Sequence, residues 1–211
     1  MLAVGIGVGT SASTPAASTR QTGATVTYRD AVDEDPLAPD ITSIVVSAGT
    51  ARQLSFRVNI PNRPTVTDDM RLTIWLDADH NLNTGLTVED LRGVDYFVLV
   101  DRWELGLGVA RLFVCEEAVC KGGPQIPSSY FNGGSFSVSA ADLGITHRQR
   151  LRFRIQSSTG WAFDPVKGYD STNVHADTAP DQGFWTFDMR PLVATASAQR
   201  PERLMPVSAS F

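Results

Sequence analysis

Residues 70–85 read Met70-Arg-Leu-Thr-Ile-Trp-Leu-Asp77-Ala-Asp79-His-Asn81-Leu-Asn83-Thr-Gly85. The first half alternates. Met70, Leu72, Ile74 and Leu76 fall on one side of an extended chain, and Arg71, Thr73 and Trp75 on the other. A period of two with one apolar face is the pattern of a half-buried antiparallel strand. The alternation then stops at a loop in which Asp77, Asp79, Asn81 and Asn83 recur at every second position. A strand running directly into an oxygen-rich loop, with no helix on either side, points to an all-β protein.

The flanking sequence extends the reading. Leu54, Phe56, Val58 and Ile60 form another inward row, broken by Pro61-Asn62-Arg63-Pro64. Thr25–Arg29 reads as a first edge strand, and Ile44 and Val46 as the start of the next. Residues 94–100 are apolar on both faces, as in a central strand. Further strands are expected at residues 110–115, 135–139, 151–155 and 184–188. Ser139 to Gly144 is expected to make one helical turn, capped by Ser139 and stopped by Gly144. Short strands at this spacing predict a two-sheet antiparallel β-sandwich, immunoglobulin-like or jelly-roll, over residues 25–189. Residues 190–211 are expected to be a tail.

The chain has 211 residues and a formal net charge of −5, with no basic block. Nucleic acid is excluded as a partner on that ground, because phosphate neutralisation needs clustered Lys or Arg. Arg150, Arg152 and Arg154 share a strand face and read as its solvated side. No apolar run reaches the ~18 residues of a membrane-spanning helix. Residues 1–24 are small and apolar, then rich in Ser, Thr and Ala. They resemble the second half of a signal peptide and predict a secreted protein. Cys115 and Cys120, with four residues between them, suit a disulfide across a tight turn.

Oxygen-bearing side chains at alternate positions are what a hard cation such as Ca²⁺ requires. Asp77, Asp79 and Asn81 match the first three ligand positions of an EF-hand loop. The match then fails, since Leu82 stands where that loop needs glycine and Val88 where it needs glutamate. The calcium ligands expected here are Asp77, Asp79, Asn81 and Asn83, closed by Asp95 from Gly93-Val-Asp95-Tyr96, with Glu89 and Asp90 as weaker candidates. Zinc is disfavoured, because His80 is the one soft ligand nearby. The competing reading is an Asx-turn loop, in which Asp and Asn side chains bond backbone amides. Asp30 to Asp40 holds five carboxylates and two prolines and reads as a loop. A loop around His175, Asp177 and Asp181 is a lesser place for a second cation, with a solvated loop preferred.

These residues carry a resemblance. The order Asp40-Ile41, Leu54-Ser-Phe56-Arg-Val58, Asn62-Arg-Pro64, Trp75 to Gly85, Gly93 to Tyr96, Asp142-Leu-Gly144 and Asp177-Thr-Ala-Pro180-Asp181-Gln-Gly183 resembles a family of uncharacterised secreted bacterial domains common in actinobacteria. Those are similar to the sugar-binding β-sandwiches of DOMON type and of carbohydrate-binding family nine. The resemblance covers residues 25 to 189. It implies a sandwich, a structural calcium ion and no catalysis. Haem, bound by some DOMON members through Met and His, is not expected, because Met70, Met189, His80, His147 and His175 show no supporting pattern.

Trp75 lies out of phase with the inward row and is the candidate for stacking on a sugar ring, unless a loop covers it. Trp103, Trp161 and Trp185 sit near strand ends. Nucleophile-elbow, zinc-protease and phosphate-loop signatures are absent. The expectation is therefore a secreted, non-catalytic module with a structural calcium site, binding carbohydrate or a cell-envelope polymer. The alternative is a structural or protein-interaction domain with no small ligand.

Overall fold

A computed structural model describes residues 24–189, apart from residues 33, 50–52, 102–108, 118, 131–132, 146–148, 165 and 167. The expected leader through residue 23, the expected tail, Trp103 and His147 lie outside the described residues. In chain order the first strands are β1 Thr25–Arg29, β2 Ser43–Ala48, β3 Gln53–Asn59, β4 Arg71–Asp77, β5 Leu86–Val88 and β6 Leu91–Val94. Then come β7 Tyr96–Asp101, β8 Ala110–Glu116, β9 Val119–Ile126, β10 Ser128–Tyr130 and β11 Gly134–Ser139. The last are β12 Arg150–Thr159, β13 Ala162–Asp164, β14 Gly168–Asp170, β15 His175–Ala179 and β16 Trp185–Asp188.

Two antiparallel sheets make the sandwich. The smaller has the order β1-β2-β3-β11-β10, and the larger the order β15-β12-β4-β7-β8-β9, with β16 also on β12. β15 and β16 act as one interrupted strand: β15 pairs Ile155–Thr159 of β12, and β16 pairs Arg150–Phe153. The break between them lies opposite Arg154.

The core fills the space between the sheets. Ile44, Val46, Leu54, Phe56 and Val58 face Leu72, Ile74, Leu76, Val98, Leu112, Phe153 and Ile155, all buried. Each comes from the inward phase of an alternating strand, which is why the apolar rows predicted the pairing. Tyr28 closes one edge: its ring stacks on Trp185 at 5.1 Å, and its hydroxyl donates to the Thr186 carbonyl at 2.7 Å. β7 is central, between β4 and β8, as its two apolar faces require. Cys115 and Cys120 are joined by a disulfide, directly opposite one another on β8 and β9.

Three expectations change. Residues 140–144 form hydrogen-bonded turns, not a helix: Asp142 N–H donates to Ser139 O at 3.0 Å and Gly144 N–H to Ala141 O at 3.1 Å. Ser139 still caps them, its hydroxyl 3.2 Å from the Ala141 amide. The stretch around Asp177 is a strand, β15, because His175–Ala179 finds a free edge of β12. Finally, Arg152 and Arg154 do not face solvent. The β5–β6 hairpin and the break after β15 fold over that part of the sheet. Arg154 is 6% exposed, pairs with Asp90 and donates to the Asp181 carbonyl at 3.0 Å. Arg150 alone keeps the expected exposure.

Candidate functional site

The Asp-rich loop starts where β4 ends, and the pleat decides which carboxylate goes where. Asp77 is the last residue of β4, directly across from Arg152 on β12, and it is fully buried. One of its oxygens, Oδ2, accepts from the Arg152 guanidinium. The other, Oδ1, accepts the His80 N–H at 2.6 Å. Asp95, in the gap between β6 and β7, turns one oxygen back to the loop mouth. Its Oδ2 accepts the amides of Ala78 at 2.8 Å and Asp79 at 3.2 Å. Asp79 Oδ1 accepts the Asn81 N–H at 2.8 Å, and Asn81 Oδ1 the Asn83 N–H at 3.1 Å. The Thr84 hydroxyl lies 3.1 Å from Asp79 Oδ2.

Two glycines allow the loop to sit there. Gly85 has φ 64°, and a Cβ on it would lie 2.2 Å from the Val94 carbonyl oxygen. Gly93 has φ 82°, and its Cβ would lie 2.5 Å from the Asn81 carbonyl oxygen. Backbone therefore packs on backbone, and only glycine fits.

The sequence expectation that Asp95 returns to Asp77 and Asp79 matches the geometry. Carboxylate oxygens of the three lie within 4.8 Å of one another. Asn81 and Asn83 stand in the Asx-turn ladder above them, Asn83 through its backbone amide. Burial first, then the Asp79 charge, pushes the Asp95 carboxyl up, against the amides of Ala78 and Asp79. Burial also pulls the Arg152 guanidinium down. Beside the loop a cleft of ≈ 350 Å³ is lined by Asp79, Asp95, Tyr96, Glu116 and Gln149, among others. The donor set fits a hard cation in part only. Asp77 is committed to Arg152 and to His80, so an ion here would draw on Asp79, Asp95 and Asn81. Of the weaker candidates, Asp90 is held instead by Arg154 and by the Gly183 amide.

Trp75 lies on the outer face of the larger sheet, as its phase requires, and it is partly exposed. Phe97 sits directly across on β7, and Phe113 across from Phe97 on β8. Ring centroids are 5.2 Å apart for Trp75–Phe97 and 4.4 Å for Phe97–Phe113, the second pair stacked. Gly122 follows on β9, opposite Phe113. The neighbouring row carries Gln156, Thr73, Leu99, Arg111 and Gln125 across the same strands. Reading the sequence strand by strand found Trp75 alone. The two phenylalanines join it through strand register, which no single segment contains.

A second group of acids gathers at the far end of β12. Asp30 follows β1, Glu34 lies in the next loop and Asp177 is on β15. One carboxylate oxygen from each lies within 4.8 Å of the others. The loop is strapped there by side chains: Ile41 N–H donates to Asp177 Oδ2, the Ser157 hydroxyl to the Pro39 carbonyl, and Asp40 N–H to Asn62 Oδ1 at 2.9 Å. His175 Nδ1 lies 2.8 Å from Asp35 Oδ2. Burial, then the charges of Asp177, Asp181 and Glu34, push the Asp30 carboxyl up to about 7. Asp177 is raised by burial and by the charges of Asp40 and Asp181, and Glu34 by burial and then Asp181 and Asp177.

No protein-family model matches the chain, and neither a curated protein nor a solved structure does.

Proposed function

We propose that this chain is a secreted, non-catalytic binding module whose ligand face is the outer surface of the larger sheet, with carbohydrate or a cell-envelope polymer as the ligand class. The observation that carries the reading is the row Trp75–Phe97–Phe113, in register on three adjacent strands and partly exposed. The Trp75 ring offers an aromatic platform for the C–H face of a sugar ring, the stacked Phe97–Phe113 pair extends the apolar strip beside it, and the Gln156, Arg111 and Gln125 row supplies donors and acceptors for hydroxyls. The disulfide supports an oxidising compartment. In the same reading the Asp-rich loop holds calcium through Asp79, Asp95 and Asn81. The support is the convergence of the Asp79 and Asp95 carboxylates at one loop mouth, with the Asn81 amide bonded to Asp79.

Titration of the full chain with soluble glucans and peptidoglycan fragments, followed by tryptophan fluorescence, tests the face. Binding that weakens by about tenfold or more in Trp75→Ala is expected, the loss of one aromatic platform. Wild-type protein that binds none of these polymers would replace the reading with the interaction-domain alternative.

A further inference from the structure

We propose that Asp30, Glu34 and Asp177 form a calcium site that ties the loop after β1 to the edge strand β15. The site is independent of the Asp-rich loop and of the aromatic face.

Two observations of different kinds support it. The first is the gathering of two carboxylates of the loop after β1 with one from β15, with oxygens within 4.8 Å of one another. The second is what those oxygens lack. Asp177 is 5% exposed. Its Oδ2 holds the Ile41 amide. Its Oδ1 is buried with no hydrogen-bond partner, and so is Asp30 Oδ2. Buried polar oxygens almost always have a donor, so orphaned carboxylate oxygens on two members of one acidic cluster mark an absent positive partner. Among the described residues, none of Asp30, Glu34, Asp177 and Asp181 forms an ion pair with a basic side chain.

The donors select the ion. All are carboxylate oxygens, with no thiolate, which disfavours zinc and copper. Two carboxylates from the loop after β1 and one from β15, with the Asp181 charge nearby and water completing the shell, suit the irregular oxygen coordination of Ca²⁺. Mg²⁺ demands a tighter octahedron and keeps its waters. An ion here has a mechanical consequence. It would cross-link β1 and its loop, on the smaller sheet, to β15 on the larger one.

Thermal unfolding and calorimetric Ca²⁺ titration of the full chain test the site, with Asp30→Asn, Glu34→Gln and Asp79→Asn as variants. Asp177→Asn is avoided, because that carboxylate also holds the Ile41 amide. Wild type is expected to gain about 5–10 °C when saturated with calcium relative to chelator. Asp30→Asn and Glu34→Gln should each weaken Ca²⁺ by about tenfold or more. Asp79→Asn should retain this binding event. Loss in Asp79→Asn with retention in Asp30→Asn and Glu34→Gln assigns the ion to the Asp-rich loop and overturns the proposal. So does the absence of any calcium response in wild type, or an equal response to Mg²⁺. Retention of one calcium event in Asp79→Asn supports this site; a wild type with a single event that Asp79→Asn leaves unchanged also removes the calcium clause from the functional reading, so the two ideas fail separately.

Discussion

The two acidic clusters sit at opposite ends of β12, and they solve the same problem differently. Near the start of the strand, Asp77, Asp79 and Asp95 converge, and protein donors serve them: Arg152 and the His80 amide for Asp77, two amides for Asp95, the Asn81 amide for Asp79. Near its end, Asp30, Glu34 and Asp177 converge with an equal crowding of charge and no arginine. Two of their oxygens are buried and bare. A dense run of Asp and Asn in one loop can be self-sufficient, because short side chains reach their own backbone amides. Carboxylates assembled from distant segments have fewer local amides to use. The region that looks most like a metal loop in sequence is therefore the one better served by the protein's own donors.

The largest expected effect tests the self-sufficient end. Asp77→Ala leaves the Arg152 guanidinium largely buried without its partner and frees the His80 amide. Breaking a buried pair in this way costs about 3–5 kcal/mol. Urea unfolding should show that loss in chelator and in calcium alike. The double variant Asp77→Ala/Arg152→Met should recover part of it, because the stranded charge is then gone. A loss confined to calcium-containing buffer would break the comparison, since the loop would then depend on an ion and not on Arg152.

How far the sequence reached follows the same division. Alternating apolar rows were enough for the sandwich, the edge position of Thr25–Arg29 and the central position of β7. The return of Asp95 to the loop was legible too, because Gly93 to Tyr96 lies close in the chain. Arg152 was misread as solvated. Its partner lies 75 residues away, and only the β12–β4 register puts the two opposite each other. Asp177 was read as a loop residue for a similar reason: a five-residue strand with two acidic or polar neighbours has weak periodicity, and a free edge on β12 makes it a strand. The motif segments that carried the family resemblance divide between the two ends. Trp75 to Gly85 and Gly93 to Tyr96 meet at one. Asp40-Ile41, Asn62 and Asp177 to Asp181 meet at the other, where the Asp40 and Ile41 amides bond Asn62 and Asp177.

A smaller effect, of opposite sign, is expected at the unserved end. At pH 8 in chelator, Asp30→Asn removes one of several crowded like charges and should stabilise the protein by about 1 kcal/mol. Saturating calcium should reverse the sign, because the variant forfeits the ion's contribution. Equilibrium urea unfolding under both conditions measures this. Destabilisation in chelator equal to that in calcium would mean that Asp30 has a donor after all, and the contrast between the two ends would disappear.

Acid titration distinguishes the ends most finely. The folded Asp30 carboxyl is raised to about 7 by burial and by Asp177, Asp181 and Glu34, which all face it, with only the Ala31 amide opposing. In the unfolded chain it titrates near ~4. Between those values the folded state holds a proton that the unfolded state has released, so stability falls as pH rises, and the loss is complete above about 7. Asp35, lowered by the Leu37 amide and then by His175, and Asp90, lowered by the Gly183 amide and then by Arg154, have the opposite sign. Their contribution is present above the unfolded value and is lost as pH falls below it through their folded values. In chelator, then, the melting temperature should decline by a few degrees from pH 5 to pH 8, about 1 kcal/mol once solvent screening of the partly exposed group is allowed for. Asp30→Asn should flatten that slope. Saturating calcium should flatten it too, because an ion supplies the positive charge for which the proton substitutes. A wild-type slope unchanged by either would show that the orphaned oxygens of Asp30 and Asp177 do not govern this part of the curve, and would remove the acid response as a mark of this cluster.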